Sequence, residues 1–182
     1  EATVRAQGLA RLEVGEPLLL RISPTPEEPQ SGKLTVHNPC LSGGSLEIFL
    51  RPVVPAPLVL VHGSTPIAVA LAALGAAMGY RVQMLESAAA AMADGAAAVV
   101  VASHGRDEEA VLTAALAARA HYVGLVASPK RGQSVLASLG VDEAARARVR
   151  TPAGLDIGAH TPEEIALSIL AEIVADRRHH SG

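Results

Sequence analysis

The chain has 182 residues, 49% of them hydrophobic, with a formal net charge of −3 and one cysteine, enough for one full domain with a substantial core plus a smaller module. Its three aromatics, Phe49, Tyr80 and Tyr122, and its slight acidity argue against the stacking platforms and polyanion-binding surfaces that nucleic acid requires. The lone Cys40 excludes an internal disulfide and any multi-cysteine zinc or iron–sulfur site, which suits a reducing cytoplasm. No apolar run reaches the roughly 18 residues of a membrane span. No signal peptide is visible; because the first residue is Glu1 rather than Met, processing or missing upstream sequence is expected.

Residues 1–56 read as a small β-rich module. Leu18 to Ile22, Leu34 to His37 and Ser45 to Leu50 are strand-like runs. They are punctuated by the proline-rich stretch at 24–29 and by Asn38-Pro39-Cys40-Leu41-Ser42-Gly43-Gly44, the residue types that end strands. Pro52-Val53-Val54-Pro55-Ala56-Pro57 is a linker. From residue 57 to 178 strands and helices alternate. Leu58 to Val61 is an apolar strand, followed by a helix from Pro66 to Met78. Strands follow at Arg81 to Leu85 and Ala97 to Val101. The helix from Asp107 to Arg119 sets Val111, Leu112, Ala115 and Leu116 on one face. His121 to Ala127 is a fourth strand. Ser128 then caps a helix with Pro129 in its first position, and a fifth strand lies around Val149 to Pro152. The last helix opens on Thr161-Pro162-Glu163-Glu164, a capping box with proline in the first turn. Residues 179–182 form a tail to which no function is given. Apolar strands joined by single helices predict a Rossmann-like parallel sheet covered on both faces.

Ligands of such sheets lie beyond the carboxyl ends of the strands. The first of these ends carries His62-Gly63-Ser64-Thr65-Pro66. Aligned on Gly63, the dinucleotide fingerprint G-x-G-x-x-G/A is matched at Gly63 and Ala68, but Thr65 takes the middle place, where a glycine lets pyrophosphate approach the backbone. The helix start still offers N–H groups to an anion. Glu86 either accepts a ribose hydroxyl or is a solvated strand end. Lys130 and Arg131 occupy a first helical turn, where the macrodipole disfavours cations by roughly 0.3–1 kcal/mol each; either they hold a bound phosphate, assisted by Arg106, or they are a solvated surface turn. His62 and His104 follow the first and third strands, and either touch a polar ligand or metal or hold loops by hydrogen bonds. Ser103 and Ser128 lack a nucleophile elbow, so serine hydrolase chemistry is not expected. Asp107, Glu108 and Glu109 read as helix-start acids. Cys40, in a glycine-rich turn, either ligates a soft metal or carries sulfur as a thiolate, or is a small buried hydrophobe. Asp156, between Gly154 and Gly158, either secures a loop or faces the ligand.

Taken together, the Asn38 to Gly44 stretch, Val99-Val100-Val101-Ala102-Ser103-His104-Gly105-Arg106-Asp107-Glu108, Tyr122-Val123-Gly124-Leu125-Val126-Ala127-Ser128-Pro129-Lys130-Arg131 and, most specifically, Thr151-Pro152-Ala153-Gly154-Leu155-Asp156-Ile157-Gly158-Ala159 running into Thr161-Pro162-Glu163-Glu164 resemble the XdhC/CoxI family over about residues 36–178. The Cys40 segment and the Thr65-Pro66-Ile67-Ala68 loop look closer to the CoxI-like branch; many XdhC relatives carry a Gly-Ala-Gly-His type loop instead. The first 35 residues match the family poorly, so an abbreviated N-terminal domain is expected.

The resemblance implies a maturation factor for molybdenum hydroxylases of the xanthine dehydrogenase or carbon monoxide dehydrogenase type, not a turnover enzyme. The implied cargo is molybdenum cofactor. The implied partners are the apo-hydroxylase and a sulfur donor such as a cysteine desulfurase, with a homodimer as the candidate assembly. The competing readings are an NAD(P)-dependent oxidoreductase with a degenerate loop, disfavoured by Thr65, and a non-enzymatic docking scaffold.

Overall fold

The computed structural model describes residues 2–28, 30–39, 43–91 and 95–179, and the chain divides between Pro55 and Ala56 into two compact units. The first contains a helix α1 (Ala2–Val14) and three strands, β1 (Leu18–Ser23), β2 (Lys33–His37) and β3 (Leu46–Leu50). β1 is central, parallel to β2 and antiparallel to β3. Leu20, fully buried, lies opposite Leu34 on one side and Ile48 on the other. The three strands fall where the sequence sets them, whereas α1 is not marked there. Its residues are mostly good helix formers, but Gly8 interrupts them and Leu9, Leu12 and Val14 stay exposed, so no apolar stripe marks the helix.

The second unit is built on five parallel strands: β4 (Leu58–His62), β5 (Arg81–Leu85), β6 (Ala98–Val101), β7 (Tyr122–Leu125) and β8 (Val149–Arg150), in the order β5-β4-β6-β7-β8. Period-two alternation sorts their side chains between two cores. Leu60, Val99, Val101, Val123 and Leu125 face the helices α3 (Glu108–Ala117), α4 (Pro129–Ser138) and the short α5 (Glu143–Ala147). Val59, Val61, Ala98, Val100 and Tyr122 face α2 (Pro66–Ala77) and α6 (Pro162–His179). Each fully buried Val, Leu or Ile contributes roughly 1.5–3 kcal/mol, so the sheet is a stiff platform. Between β5 and β6 the chain makes only a 3-10 turn, Ala88–Ala91, among the described residues. No helix among the described residues is long and apolar enough to cross a membrane.

Three helices begin alike, on a hydroxyl followed by proline. Thr65 Oγ1 accepts from the Ala68 amide at 3.2 Å and Ser128 Oγ from the Arg131 amide at 3.4 Å, caps worth about 1 kcal/mol each. At α6, Thr161 Oγ1 accepts from the Glu164 amide while Glu164 Oε2 accepts from the amides of Thr161 and His160. These two backbone donors hold the Glu164 carboxyl below the usual carboxylate range. The capping box is thus present as the sequence sets it out.

Candidate functional site

Strand order reverses between β4 and β6, the place where open α/β sheets ordinarily open a crevice. Here the two strand exits touch backbone to backbone. Gly63, at φ +116°, lies so close to the chain leaving β6 that a Cβ would sit 2.2 Å from the Ala102 carbonyl oxygen. The Ala102 amide donates to the His62 carbonyl at 2.7 Å. His62 is 4% exposed; its Nε2 donates to the Arg106 carbonyl at 2.9 Å, and its Nδ1 is buried without a partner among the described residues. Thr65, which displaces a fingerprint glycine, spends its hydroxyl on capping α2 and occupies one of the amides an anion would need. Ser64 and Glu86 are exposed.

The loop from Ser103 to Asp107 is held from below. Ser103 Oγ lies 2.8 Å from the same Arg106 carbonyl and 3.3 Å from Glu108 Oε1, which also accepts from the Gly105 amide at 2.8 Å. Glu108 is buried, and its other oxygen pairs with the Arg131 guanidinium. Burial opposes its ionisation, but Arg131, the Gly105 N–H and the Ser103 hydroxyl together outweigh it and hold the carboxyl below the usual range. This knot fixes His104 and Asp107 in the left-handed region, at φ +54° and +53°, a conformation His and Asp adopt more readily than most residues. Glu108 is therefore more than the helix-start acid its position suggests, and it is the residue that sequence reasoning missed. One signal was available: a cation in the first turn of α4 calls for a nearby anion, and the protein itself supplies it.

An open cleft of about 650 Å³ lies one step along the sheet, at the carboxyl ends of β7 and β8. Val126, Ala127, Ser128 and Arg131 form one part of its lining; the rest comes from His104, residues 152–157 and 159, and Ile165 and Ser168 of α6. Three consecutive amides fix the start of the 153–159 segment. Ala153 N–H donates to the Leu125 carbonyl, Gly154 N–H to Glu172 Oε2 at 2.7 Å, and Leu155 N–H to the Ser168 carbonyl. Glu172 also accepts from the Tyr122 hydroxyl at 2.6 Å, and burial, reinforced by this carboxylate, raises the phenol's ionisation far above its ordinary value. Gly154, at φ +106°, lets the chain pass against α6, where a Cβ would meet Ser168 Oγ at 2.3 Å.

Of the residues singled out from the sequence, His104, Ser128, Arg131 and Asp156 line this cleft together. His62, Gly63, Ser64, Thr65, Glu86, Ser103, Arg106 and Lys130 are not part of its lining. Lys130 and Arg106 are exposed. Asp156 and His104 make no hydrogen bond or ion pair among the described residues, whereas Arg131 is engaged by Glu108. Cys40 lies outside the described residues.

Residues 59–173 match the XdhC Rossmann domain. Over 179 residues the chain is 30% identical to the molybdenum cofactor insertion chaperone PaoD of Escherichia coli (strain K12), an alignment covering 94% of this chain and 55% of that protein. It therefore reaches into the N-terminal unit, beyond the motifs that carry the resemblance. Over 171 residues it is 28% identical to a probable xanthine dehydrogenase subunit of Bacillus subtilis (strain 168), covering 79% of this chain and 50% of that one. The chain spans about half the length of these curated relatives. A crystal structure of a xanthine dehydrogenase from Bacillus halodurans shares the fold, with a TM-score of 0.57 at 18% identity over 74% of this chain and 46% of that one. With the family match covering most of the chain and the parallel sheet in place, the chain belongs to the XdhC family.

Proposed function

We propose that the chain is a molybdenum-cofactor binding and insertion chaperone that helps mature a molybdenum hydroxylase of the xanthine dehydrogenase or carbon monoxide dehydrogenase type. The observation that carries this reading is the cleft beyond β7 and β8, in a chain that aligns over 94% of its length with PaoD. Its volume suits a small ligand, and apolar walls with a few convergent polar groups are the usual make-up of such a site. Arg131 and Ser128 present polar groups, and Val126, Leu155, Ile157 and Ile165 an apolar surface. The cofactor is cargo, held and passed on. The client is the apo-hydroxylase; a sulfur donor such as a cysteine desulfurase, a homodimeric assembly and a cytoplasmic setting complete the proposal. An NAD(P)-dependent enzyme is disfavoured, because Thr65 stands where the fingerprint needs a glycine and its hydroxyl takes the Ala68 amide.

The test is to purify the protein from a host making molybdenum cofactor and to assay released molybdopterin by fluorescence after oxidation. Equimolar pterin is expected. Arg131→Lys keeps a charge beside Glu108 but loses the planar fork whose pairing with Glu108 holds this wall of the cleft, and should lower retention about tenfold by loosening that wall, whereas Lys130→Ala, outside the cleft, should change it little. Failure to retain molybdopterin, or calorimetric binding of NAD(H) in its place, would overturn the reading.

A further inference from the structure

The cleft is poorly equipped to hold its ligand by negative charge. Its one guanidinium, Arg131, is already paired with the ionised, buried Glu108. The start of α4 adds little: Pro129 has no N–H, and the Arg131 amide is taken by Ser128 Oγ. The hydroxyl of Ser168 donates to the Ile165 carbonyl. Against these satisfied groups stand His104 and Asp156, both in the cleft lining without a protein partner among the described residues, and of the two Asp156 is the exposed carboxylate. Leu155 and Ile157, on either side of it in sequence, line the same cleft and are 43% and 52% exposed. Apolar side chains beside an unpaired acceptor suit a flat heterocycle that brings hydrogen-bond donors on its edge. A carboxylate has two acceptor oxygens and pairs best with two adjacent N–H groups.

We propose that Asp156 is a specificity-determining residue that reads the paired N–H edge of an aminopyrimidinone ring, the ring N–H and exocyclic amino group of a pterin, while Leu155 and Ile157 cover the ring. This rests on the cofactor reading above and assigns the part of the cargo that is recognised. A ligand known only by its phosphate would find little at this wall; one with the donor pair completes it. The recognition is neutral on one side and charge-assisted on the other, so it tolerates salt better than a phosphate clamp would.

Pterin and lumazine isolate this edge, since lumazine has a carbonyl where pterin has the amino group. Titrations of the full chain, followed by the intrinsic fluorescence of each heterocycle, should show pterin binding about tenfold more tightly. Asp156→Asn should bring the two within about twofold of each other, because an amide offers one acceptor where the carboxylate offers two. Its thermal midpoint should stay that of the wild type, as Asp156 is exposed and has no partner to lose. Guanosine monophosphate carries the same donor pair on a nucleotide, and inosine monophosphate lacks the amino group. Binding of guanosine monophosphate more tightly than pterin would overturn the pterin assignment. Equal affinities for pterin and lumazine, an unchanged ratio in Asp156→Asn, or no binding of either heterocycle would overturn the role of Asp156. If the protein still retains molybdopterin in any of these cases, the chaperone reading stands and only the edge-reading falls; if molybdopterin is not retained, the chaperone reading falls separately.

Discussion

Gly63→Ala is expected to destabilise the second unit by about 3–5 kcal/mol, enough to lower its thermal midpoint by on the order of 10 °C or more. Two costs add. The backbone stands at φ +116°, which an L side chain adopts at roughly 1–3 kcal/mol. The new Cβ would also be driven to 2.2 Å from the Ala102 carbonyl oxygen and 2.9 Å from the Ser103 Cα. These are backbone atoms of a central strand's exit and cannot step aside as a flexible side chain can; overpacking of this kind adds about 1–3 kcal/mol. Gly79→Ala is the matched control. Gly79 also has a positive φ, +84°, but a Cβ there meets nothing within 4 Å, so only the conformational cost of roughly 1–2 kcal/mol remains. Thermal and urea unfolding of the two variants should therefore separate widely. If Gly63→Ala unfolds within about 1 kcal/mol of Gly79→Ala, the approach of Gly63 to the Ala102 backbone is not what forbids a side chain there.

Glu108→Gln should be the second most damaging change, at about 2–3 kcal/mol. Removing one partner of a fully buried ion pair costs roughly 3–5 kcal/mol. The Arg131 side chain is 34% exposed while that of Glu108 is 3% exposed, so water recovers part of the loss on the arginine side. The effect carries a pH signature. The Glu108 carboxyl titrates lower in the folded protein than its ordinary value of 4.5, so the stability it confers is present above that value and disappears as pH falls through the folded one. Urea titrations at neutral pH and below 4.5 should show the gap between wild type and Glu108→Gln narrowing in acid. A gap that persists undiminished would mean that glutamine disrupts the loop sterically and that the ion pair matters little.

The fold was largely legible because its signals are local. Apolar runs such as Leu58 to Val61 and Ala97 to Val101, and the helix starts at Ser128-Pro129 and Thr161-Pro162, mark strands and helices without reference to anything distant. Elements without such marks escaped: α1 lacks an apolar stripe, and α5 is only five residues long. The site was half legible. Strand ends could be found, and His104, Ser128, Arg131 and Asp156 do meet in one cleft. What the sequence could not show is which gap between strand ends stays open. That depends on the 152–159 segment passing against α6, where Gly154 meets Ser168. Glu108 and Glu109 look interchangeable at the start of α3, yet one is buried against Arg131 and the other is exposed and accepts from the Ser138 hydroxyl. Only the packing of α3 beside α4 distinguishes them.

The three consecutive amides that fasten Ala153, Gly154 and Leu155 have a consequence for solvent exchange. Each N–H is tied to a different acceptor, the end of β7, a carboxylate of α6 and the backbone of α6, so the three exchange together only when the segment detaches from both the sheet and α6. The next four amides, residues 156–159, make no hydrogen bond among the described residues. They should exchange with deuterium at rates close to those of an open chain. The cleft wall thus has a slow half and a fast half, and the fast half carries Asp156. A ligand seated against it would slow exchange at 156–159 and leave 153–155 unchanged, a footprint readable on the unmodified protein.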